Sequence, residues 1–434
     1  MKYFISKIHS ALFIALSFMF WFSPKLPANG TSPNNSAFNR FELKQDAGRW
    51  WLFSPGKERF VALGVVHLGI VYRGEQSLLR TRFGGDVEAA NAYMLQLLKK
   101  MNCNSIGYNA PNELKPHLPY FAHYQALMIS EWRIDSSREL KFADVFDPEV
   151  ETKIREGMKR VCLENREDPN LIGYYWTDMP MWDLEHSERI LGYHWVDYIR
   201  DLPAETPGKK AYIDFLLKRY EGNTEAMATR YEVQPERQIM LGHKFRRISR
   251  LDPIRQADDN AFLRLIARRY YSILGSETRK HDPHHLIFGD RYTNYVHPKA
   301  VIEEALPWID ALSIQPNGSF DKPYFDELYA RTGKPINICD HQVSFPVDGF
   351  NRVIWPPADS KVIALEQMDS FIEDAFDEPY IIGYGRCQMI DHITGHGQSQ
   401  RIKIGIIDTE GEPKSELSSR LGTSYKEVKQ KLKL

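Results

Sequence analysis

Acidic side chains stand at the ends of two short apolar segments of this chain. The segment LIGYYWTD ends at Asp178, and the segment PINICDH carries Asp340 just before its last residue. Two carboxyl groups can cleave a glycosidic bond, because one protonates the leaving oxygen while the other attacks the anomeric carbon or activates water. Asp340 and Asp178 are therefore the candidate catalytic pair. Alternatively, Asp340 only pairs with an arginine and Asp178 only hydrogen-bonds a sugar. Glu131, Asp183 or Glu185 could then donate the proton.

Two arginines and two tryptophans stand at similar segment ends. Arg291 and Arg386 suit a carboxylate or sulfate substituent, which a guanidinium group binds bidentately, but pairing with neighbouring aspartates is equally compatible with their positions. Trp176 and Trp182 could stack on sugar rings, although core packing is the commoner use of such residues. The other candidate ligand-binding residues of the same kind are His67, Asn109, Glu131, Gln315, His341, Gln388, Asp391 and His392.

Eight apolar segments precede these residues, and amphipathic helical stretches separate most of them. Parallel strands that alternate with helices bring their carboxyl ends to one rim, where residues distant in sequence meet. The sequence therefore predicts an α/β protein, a single (β/α)8 barrel with these side chains at its mouth. The predicted strands are Phe60–Leu68, Asn104–Tyr108, Gln125–Glu131, Leu171–Asp178, Leu286–Arg291, Ala311–Gln315, Pro335–His341 and Ile381–Gln388.

The segments outside the plain barrel predict its surroundings. Residues 1–28 have the order of a secretory signal, with early lysines, an apolar run at Ala11–Phe22 too short to span a bilayer, and small residues up to Ala28. A retained membrane anchor is the alternative. Residues 29–40 are predicted to be a flexible leader, and 41–434 the barrel domain, secreted or periplasmic and without stable membrane insertion. A helical insertion is expected at about 183–257, and a small β-hairpin before the first strand.

Charge and motifs exclude several function classes. The 434 residues include 56 basic and 57 acidic side chains, a net charge of −1, which leaves no surplus field to hold a nucleic acid. The four cysteines form no CxxC pair and no metal-like spacing with histidine, so we expect free thiols and no metal site. Phosphate-binding glycine loops and a nucleophile elbow are absent from the sequence, and we expect no cofactor. The sequence does not indicate the oligomeric state.

Seven segments in order resemble agarase-type β-glycoside hydrolases of the retaining TIM-barrel clan. They are GRWWLFSPGKERFVALGVVHLG (Gly48–Gly69), DPNLIGYYWTDMPMW (Asp168–Trp182), HLIFGDRY (His285–Tyr292), DALSIQPNG (Asp310–Gly318), GKPINICDHQ (Gly333–Gln342), IIGYGRCQMID (Ile381–Asp391) and IGIIDTEGEPKSEL (Ile404–Leu417). The resemblance implies a (β/α)8 barrel that hydrolyses a β-linked galactan.

The resemblance also exposes departures at both catalytic positions. The family has Asn-Glu at the end of strand four, where this chain has Asp178 and Met179, and a methionine cannot transfer a proton. Asp340 takes the place of the family's nucleophilic glutamate and is one methylene shorter. Arg386-Cys387-Gln388 replaces a tryptophan-containing platform. Shorter carboxylates would widen the gap between them, and a gap of about 6.5–9.5 Å favours inversion through water.

Two main hypotheses follow. The first is an exported hydrolase, with non-standard catalytic residues, that degrades a β-linked galactan or a related marine polysaccharide, which in one interpretation is acidic or sulfated. The second is a catalytically degenerate barrel that binds carbohydrate without cleaving it, as Met179 suggests. A third and weaker interpretation is other carbohydrate chemistry at the same mouth.

Overall fold

The computed structural model describes residues 39–127, 142–232, 236, 252–293, 298–345, 357–393, 401–402 and 405–434. Eight parallel strands close into a barrel in chain order, which confirms the predicted fold class. Strands β4 to β11 form it: β4 (Ala62–Val65), β5 (Ser105–Ile106), β6 (Tyr120–His123), β7 (Leu171–Asp178), β8 (Leu286–Thr293), β9 (Leu312–Gln315), β10 (Ile336–His341) and β11 (Ile381–Arg386).

Seven barrel strands fall within or over the predicted segments, and the third was placed wrongly. We expected Gln125–Glu131, but the strand is Tyr120–His123, whose first residue pairs with Ile106 on one side and Leu171 on the other. The apolar run that follows was the stronger sequence signal. Position in a closed barrel is nevertheless set by the pairing partners, which a single sequence does not display.

A three-stranded antiparallel sheet precedes the barrel and closes its bottom, as the hairpin prediction anticipated. Its strands are β1 (Glu42–Asp46), β2 (Arg49–Phe53) and β3 (Arg59–Phe60), and the β1–β2 turn places Ala47 and Gly48 at φ 50° and 79°. Arg49 donates from Nη2 to the carbonyl of Ile381 at 3.1 Å, where β11 begins. Phe41 and Leu52 join the cluster of buried side chains that fills the barrel interior.

Thirteen described helices surround the barrel or extend from it. Many begin at a residue whose side chain accepts a backbone N–H, such as Asp147, Asp252 and Ser360, so their starts are fixed locally. They are α1 (Gly69–Tyr72), α2 (Leu78–Thr81), α3 (Val87–Lys100), α4 (Pro148–Asn165), α5 (Leu184–Leu191), α6 (Trp195–Arg200), α7 (Pro207–Arg219), α8 (Thr224–Tyr231), α9 (Pro253–His281), α10 (Lys299–Ala305), α11 (Lys322–Thr332), α12 (Lys361–Asp377) and α13 (Ser415–Leu432). A two-stranded pair, β12 (His392–Ile393) and β13 (Arg401–Ile402), follows β11.

Helices α5 to α8 lie between β7 and the long helix α9, in the stretch where we expected an insertion. The exact domain boundaries remain a prediction. The proposed signal, residues 1–28, and residues 29–38 of the proposed leader lie outside the described residues. Within the described ranges, no helix combines the length and apolar character needed to cross a membrane.

Candidate active site

Arg291, at the carboxyl end of β8, lies fully buried between the two candidate carboxylates. Its Nη1 donates to Oδ1 of Asp178 at 2.8 Å, and its Nη2 donates to Oδ2 of Asp340 at 2.5 Å. The guanidinium group also lies over the ring of Tyr108, 3.6 Å from the centroid. We call Asp178, Arg291 and Asp340 the carboxylate–arginine triad. The two residues predicted as the catalytic pair therefore meet at one buried cation.

Irregularities in two strands turn both aspartates toward Arg291. The register shifts between Tyr175 and Asp178 in β7, and again between Ile338 and His341 in β10. In a regular strand Asp178 would share the outward face of Trp176, two residues earlier. A shift of this kind redirects the side chains that follow it. The triad thus depends on local backbone geometry that strict alternation does not produce.

Asp340 is held as an anion. Burial raises the pKa of its carboxyl group, but a hydrogen bond from His67 and the charge of Arg291 outweigh burial, and the pKa falls to about 2. The distance from Nε2 of His67 to Oδ2 of Asp340 is 3.2 Å. Among the described residues, no N–H or O–H group donates to Oδ1 of Asp340. Asp340 can therefore accept, attack or act as a base near neutral pH, but it cannot donate a proton.

Asp178 uses one carboxylate oxygen for two hydrogen bonds. Besides Arg291, Nε2 of Gln315 donates to its Oδ1 at 2.9 Å, and the same amide group donates to the carbonyl of Arg291 at 2.9 Å. The backbone N–H of Asp178 donates to Oε1 of Gln125 at 3.1 Å. The side chain is 14% exposed. Its second oxygen, Oδ2, accepts no hydrogen bond from the described residues.

Left-handed backbone occurs at three strand ends on this rim. His67, Asn109 and Met179 have φ of 62°, 59° and 44°, and they follow the first, second and fourth barrel strands. Non-glycine residues in this region cost about 1–3 kcal/mol each and cluster at functional sites. Met179 is largely buried, and its N–H donates to the carbonyl of Arg291 at 3.0 Å.

Asp290 faces away from the triad, toward α9, and fixes the strand ends from outside. Its carboxyl group accepts from the hydroxyl of Tyr271 at 2.8 Å, the indole of Trp182 at 3.2 Å and the backbone N–H of Thr177 at 3.0 Å. Burial raises the pKa of Asp290 to about 7, although these donors oppose the shift. The carboxyl group therefore joins β7, β8 and α9 immediately behind Arg291.

Several predicted ligand-binding residues lie in the packed shell instead of at the mouth. Trp176 and Trp182 are fully buried, and Trp182 stacks on Trp195 with ring centroids 4.6 Å apart, so neither ring presents a face to a sugar. His341 is also buried, its Nδ1 2.6 Å from the hydroxyl of Tyr384 and its Nε2 2.8 Å from a backbone carbonyl. Burial lowers the pKa of His341 to about 3.

The candidates at the end of β11 and directly after it have local structural partners. Arg386 is buried, with Nη1 3.4 Å from the carbonyl of His341. Gln388 donates to the carbonyl of Ile390 at 2.7 Å. Asp391 accepts from Lys414 at 2.7 Å and from a backbone N–H. These contacts fix the segment that follows the last barrel strand.

The remaining three candidates are a half-buried side chain, a residue outside the described ranges and a residue described only by its backbone. Asn109 is half-buried beside the first strand end, with Oδ1 3.4 Å from Nη1 of Arg73. Glu131 lies outside the described residues. For His392, the structure describes only the backbone.

Sequence reasoning missed two contacts of the triad, Gln125 and Cys387, and gave a third, Tyr108, no role. Tyr108 ends the second predicted strand directly before Asn109, so it was expected at the mouth. Gln125 was assigned to the start of a predicted strand, the end away from the mouth, and was therefore not considered. Cys387 lies beside Asp340, and the sulfur, nitrogen and oxygen atoms of Cys387, His67 and Asp340 lie within 4.8 Å of one another. We assign no metal to this group, because Arg291 already neutralises the same carboxylate and burial raises the pKa of the Cys387 thiol well above its usual value.

The fold and the triad define the class of the molecule as a (β/α)8 barrel with two carboxylates at its carboxyl rim. No family model matches the chain. It is 21% identical over 285 residues to β-agarase B of Vibrio sp. strain JT0107, which covers 62% of this chain and 29% of that relative. The resemblance to agarase-type enzymes is thereby confirmed, while the chain spans less than a third of this relative's length.

Solved structures share the fold. An exo-β-agarase superposes with a TM-score of 0.74 at 16% identity, covering 92% of this chain and 66% of that one. The agarase AgWH50C gives 0.72 at 17% identity, with 91% and 65% covered. BpGH50 gives 0.66 at 14% identity, with 90% and 82% covered. At these identities the likeness concerns the barrel and not the reaction.

Proposed function

We propose that the protein is a glycoside hydrolase that cleaves a β-linked galactan, with agarose as the reference substrate. The observation that carries the proposal is the triad, in which Asp178 and Asp340 meet at Arg291. Both aspartates stand at strand ends where the agarase resemblance expects catalytic machinery. The likeness to β-agarase B, and to solved structures of agarases, supports the galactan as the substrate class.

The charges of the triad favour neutral galactan units over sulfated ones. Both terminal nitrogens of Arg291 are already bonded to carboxylates, so this guanidinium group does not offer itself to an anionic substituent. A sulfate would also approach two anionic side chains, which costs free energy in a poorly solvated site. An acidic or sulfated substrate would have to place its charge elsewhere along the mouth.

We further propose that the chain is exported. The order of basic, apolar and small residues in positions 1–28 supports a cleaved signal and a secreted or periplasmic enzyme.

The proposal is tested by incubating the purified chain with oligosaccharides of agarose, porphyran and carrageenan and separating the products. Agarose oligosaccharides should be shortened fastest. Asp340→Asn should lower the rate at least about a hundredfold, because it removes the fixed negative charge from the site. Asp374→Asn is the matched control, since Asp374 is exposed on α12. An Asp340→Asn variant as active as the control would contradict the role of Asp340.

A second candidate function is carbohydrate binding without cleavage, favoured by Met179 at the position where the family carries its proton donor. Calorimetry that detects micromolar binding of agarose oligosaccharides, with no product after long incubation, would support it. Activity that appears only in Met179→Glu would support it further. Product formation by the unmodified chain would exclude it.

A further inference from the structure

We propose that His67 is the proton donor of the reaction, with Asp340 as the residue that orients it. The inference rests on the proposed function and deepens it, because it identifies the group that replaces the missing glutamate at Met179. Cleavage of an unactivated glycosidic bond needs an acid near the leaving oxygen.

Both aspartates already accept hydrogen bonds from Arg291. Asp340 is buried and carries a pKa lowered to about 2, so it has no proton to give near neutral pH. Asp178 stands at the position of the family's asparagine and not at that of its proton donor, which Met179 occupies.

His67 has the geometry of an oriented imidazole. It lies at the end of the first barrel strand, and its side chain is 21% exposed while Asp340 is 4% exposed. An ionised carboxylate only accepts hydrogen bonds, so the contact of 3.2 Å places a proton on Nε2 of His67. The other ring nitrogen, Nδ1, has no hydrogen-bond partner among the described residues. It is the atom at which the imidazole can gain and release a proton.

The surroundings hold this imidazole in place. Its ring packs edge-on against Tyr108 with centroids 5.3 Å apart, and its backbone N–H donates to the carbonyl of the same tyrosine at 2.8 Å. The charged and titratable groups around it are Asp340 from β10, Arg291 from β8, Cys387 after β11, and Tyr108 and His123 from the second and third strand ends. A histidine oriented by a carboxylate is a recurrent acid–base arrangement.

Every proton that moves in this step has a donor and an acceptor. Nδ1 of the His67 imidazolium gives its proton to the glycosidic oxygen as the bond from that oxygen to the anomeric carbon breaks. Oδ2 of Asp178 takes a proton from a water molecule, whose oxygen forms the new bond to the same carbon. The free sugar leaves with the proton from His67, and exchange with solvent then reprotonates His67 and deprotonates Asp178.

The test compares two aryl glycosides of one agarose oligosaccharide. A methoxyphenol leaving group needs protonation, whereas a dinitrophenol leaving group departs without it. His67→Gln should lose about 10²–10⁴-fold in kcat/KM on the methoxyphenyl glycoside and only a few-fold on the dinitrophenyl glycoside. Asp178→Asn should lose activity on both. His117→Gln, at an exposed site, is the matched control.

A glycine variant protects the test against misfolding. His67 has a φ of 62°, which glycine adopts without strain, so His67→Gly should fold. Added imidazole should restore part of its activity on the methoxyphenyl glycoside. The inference is overturned if His67→Gln loses equally on both glycosides, or if Asp178→Asn shows the selective loss instead. An unmodified chain that cleaves neither glycoside contradicts the proposed function itself.

Discussion

Replacing Arg291 by methionine should destabilise the fold strongly at neutral pH and much less in acid. The change leaves Asp340, which is 4% exposed, and Asp178 without their shared cation. Removing one partner of a buried ion pair costs about 3–5 kcal/mol, because the remaining charge stays desolvated. The pKa of Asp340, at about 2 instead of 3.8, reflects the hydrogen bond from His67 as well as the charge of Arg291, so the Arg291 variant loses part of that stabilisation and not all of it.

The pKa of Asp340 determines how the destabilisation by Arg291→Met depends on pH. In the unmodified chain, the depressed pKa of Asp340 contributes stability above 3.8 that is lost as the pH falls through about 2. Without Arg291, one of the groups that lower the pKa of Asp340 is gone, so the pKa rises and acid protonates the buried carboxyl group more readily, which relieves part of the penalty. Guanidinium denaturation at neutral pH and at about pH 3 should therefore show the larger loss at neutral pH.

A matched surface variant isolates the effect of burial. Arg264 is 44% exposed and pairs with Glu304 at 2.6 Å, so Arg264→Met should cost less than about 1 kcal/mol. If Arg291→Met costs no more than this control, or costs as much in acid as at neutral pH, Arg291 does not act as a buried bridge. Asp340→Asn in the Arg291→Met background should recover part of the loss, since the two changes share one interaction.

Two other predictions concern the support of the site. Burial raises the pKa of Asp290 to about 7, so the folded state is stabilised when this carboxyl group is protonated. That stabilisation should be lost as the pH rises from about 4 to 7, by up to about 4 kcal/mol. Melting curves of Asp290→Asn should show a weaker dependence on pH over this range. Gly64→Ala should lower the melting temperature, because an added Cβ would lie 2.5 Å from the carbonyl oxygen of Ser105 in the neighbouring strand. Overpacking of this kind costs about 1–3 kcal/mol. Gly56→Ala, whose Cβ would meet its nearest atom at 3.6 Å, is the control and should leave the melting temperature unchanged.

The barrel was predictable because its strands are buried on both faces and therefore appear as continuous apolar runs. Strand β7 matches its prediction from Leu171 to Asp178, and β10 differs by one residue at its start. The prediction of the third strand failed because a stronger apolar run follows the strand itself, Tyr120–His123. In a closed barrel, the hydrogen-bonding neighbours decide which short run becomes the strand.

The candidate site was predictable as a set of strand ends but not as a set of orientations. Asp178, Asp340 and Gln315 do converge on Arg291. His341 belongs to the same predicted set, yet it points into the shell of helices. The difference arises at the register shifts of β7 and β10, which no residue pattern in a single sequence reveals. Side-chain direction beyond a bulge therefore required the structure.

One oxygen of each triad carboxylate already accepts hydrogen bonds before any ligand binds, and this constrains what can bind there. Arg291, His67 and Gln315 donate to Oδ2 of Asp340 and Oδ1 of Asp178. The remaining oxygens, Oδ1 of Asp340 and Oδ2 of Asp178, can only accept hydrogen bonds while both carboxylates are ionised. Sugar hydroxyl groups are donors that match them, whereas sulfate and carboxylate groups are not. Unsulfated galactan units should therefore outcompete sulfated ones, and the preference should weaken in Asp340→Asn, whose amide group also donates.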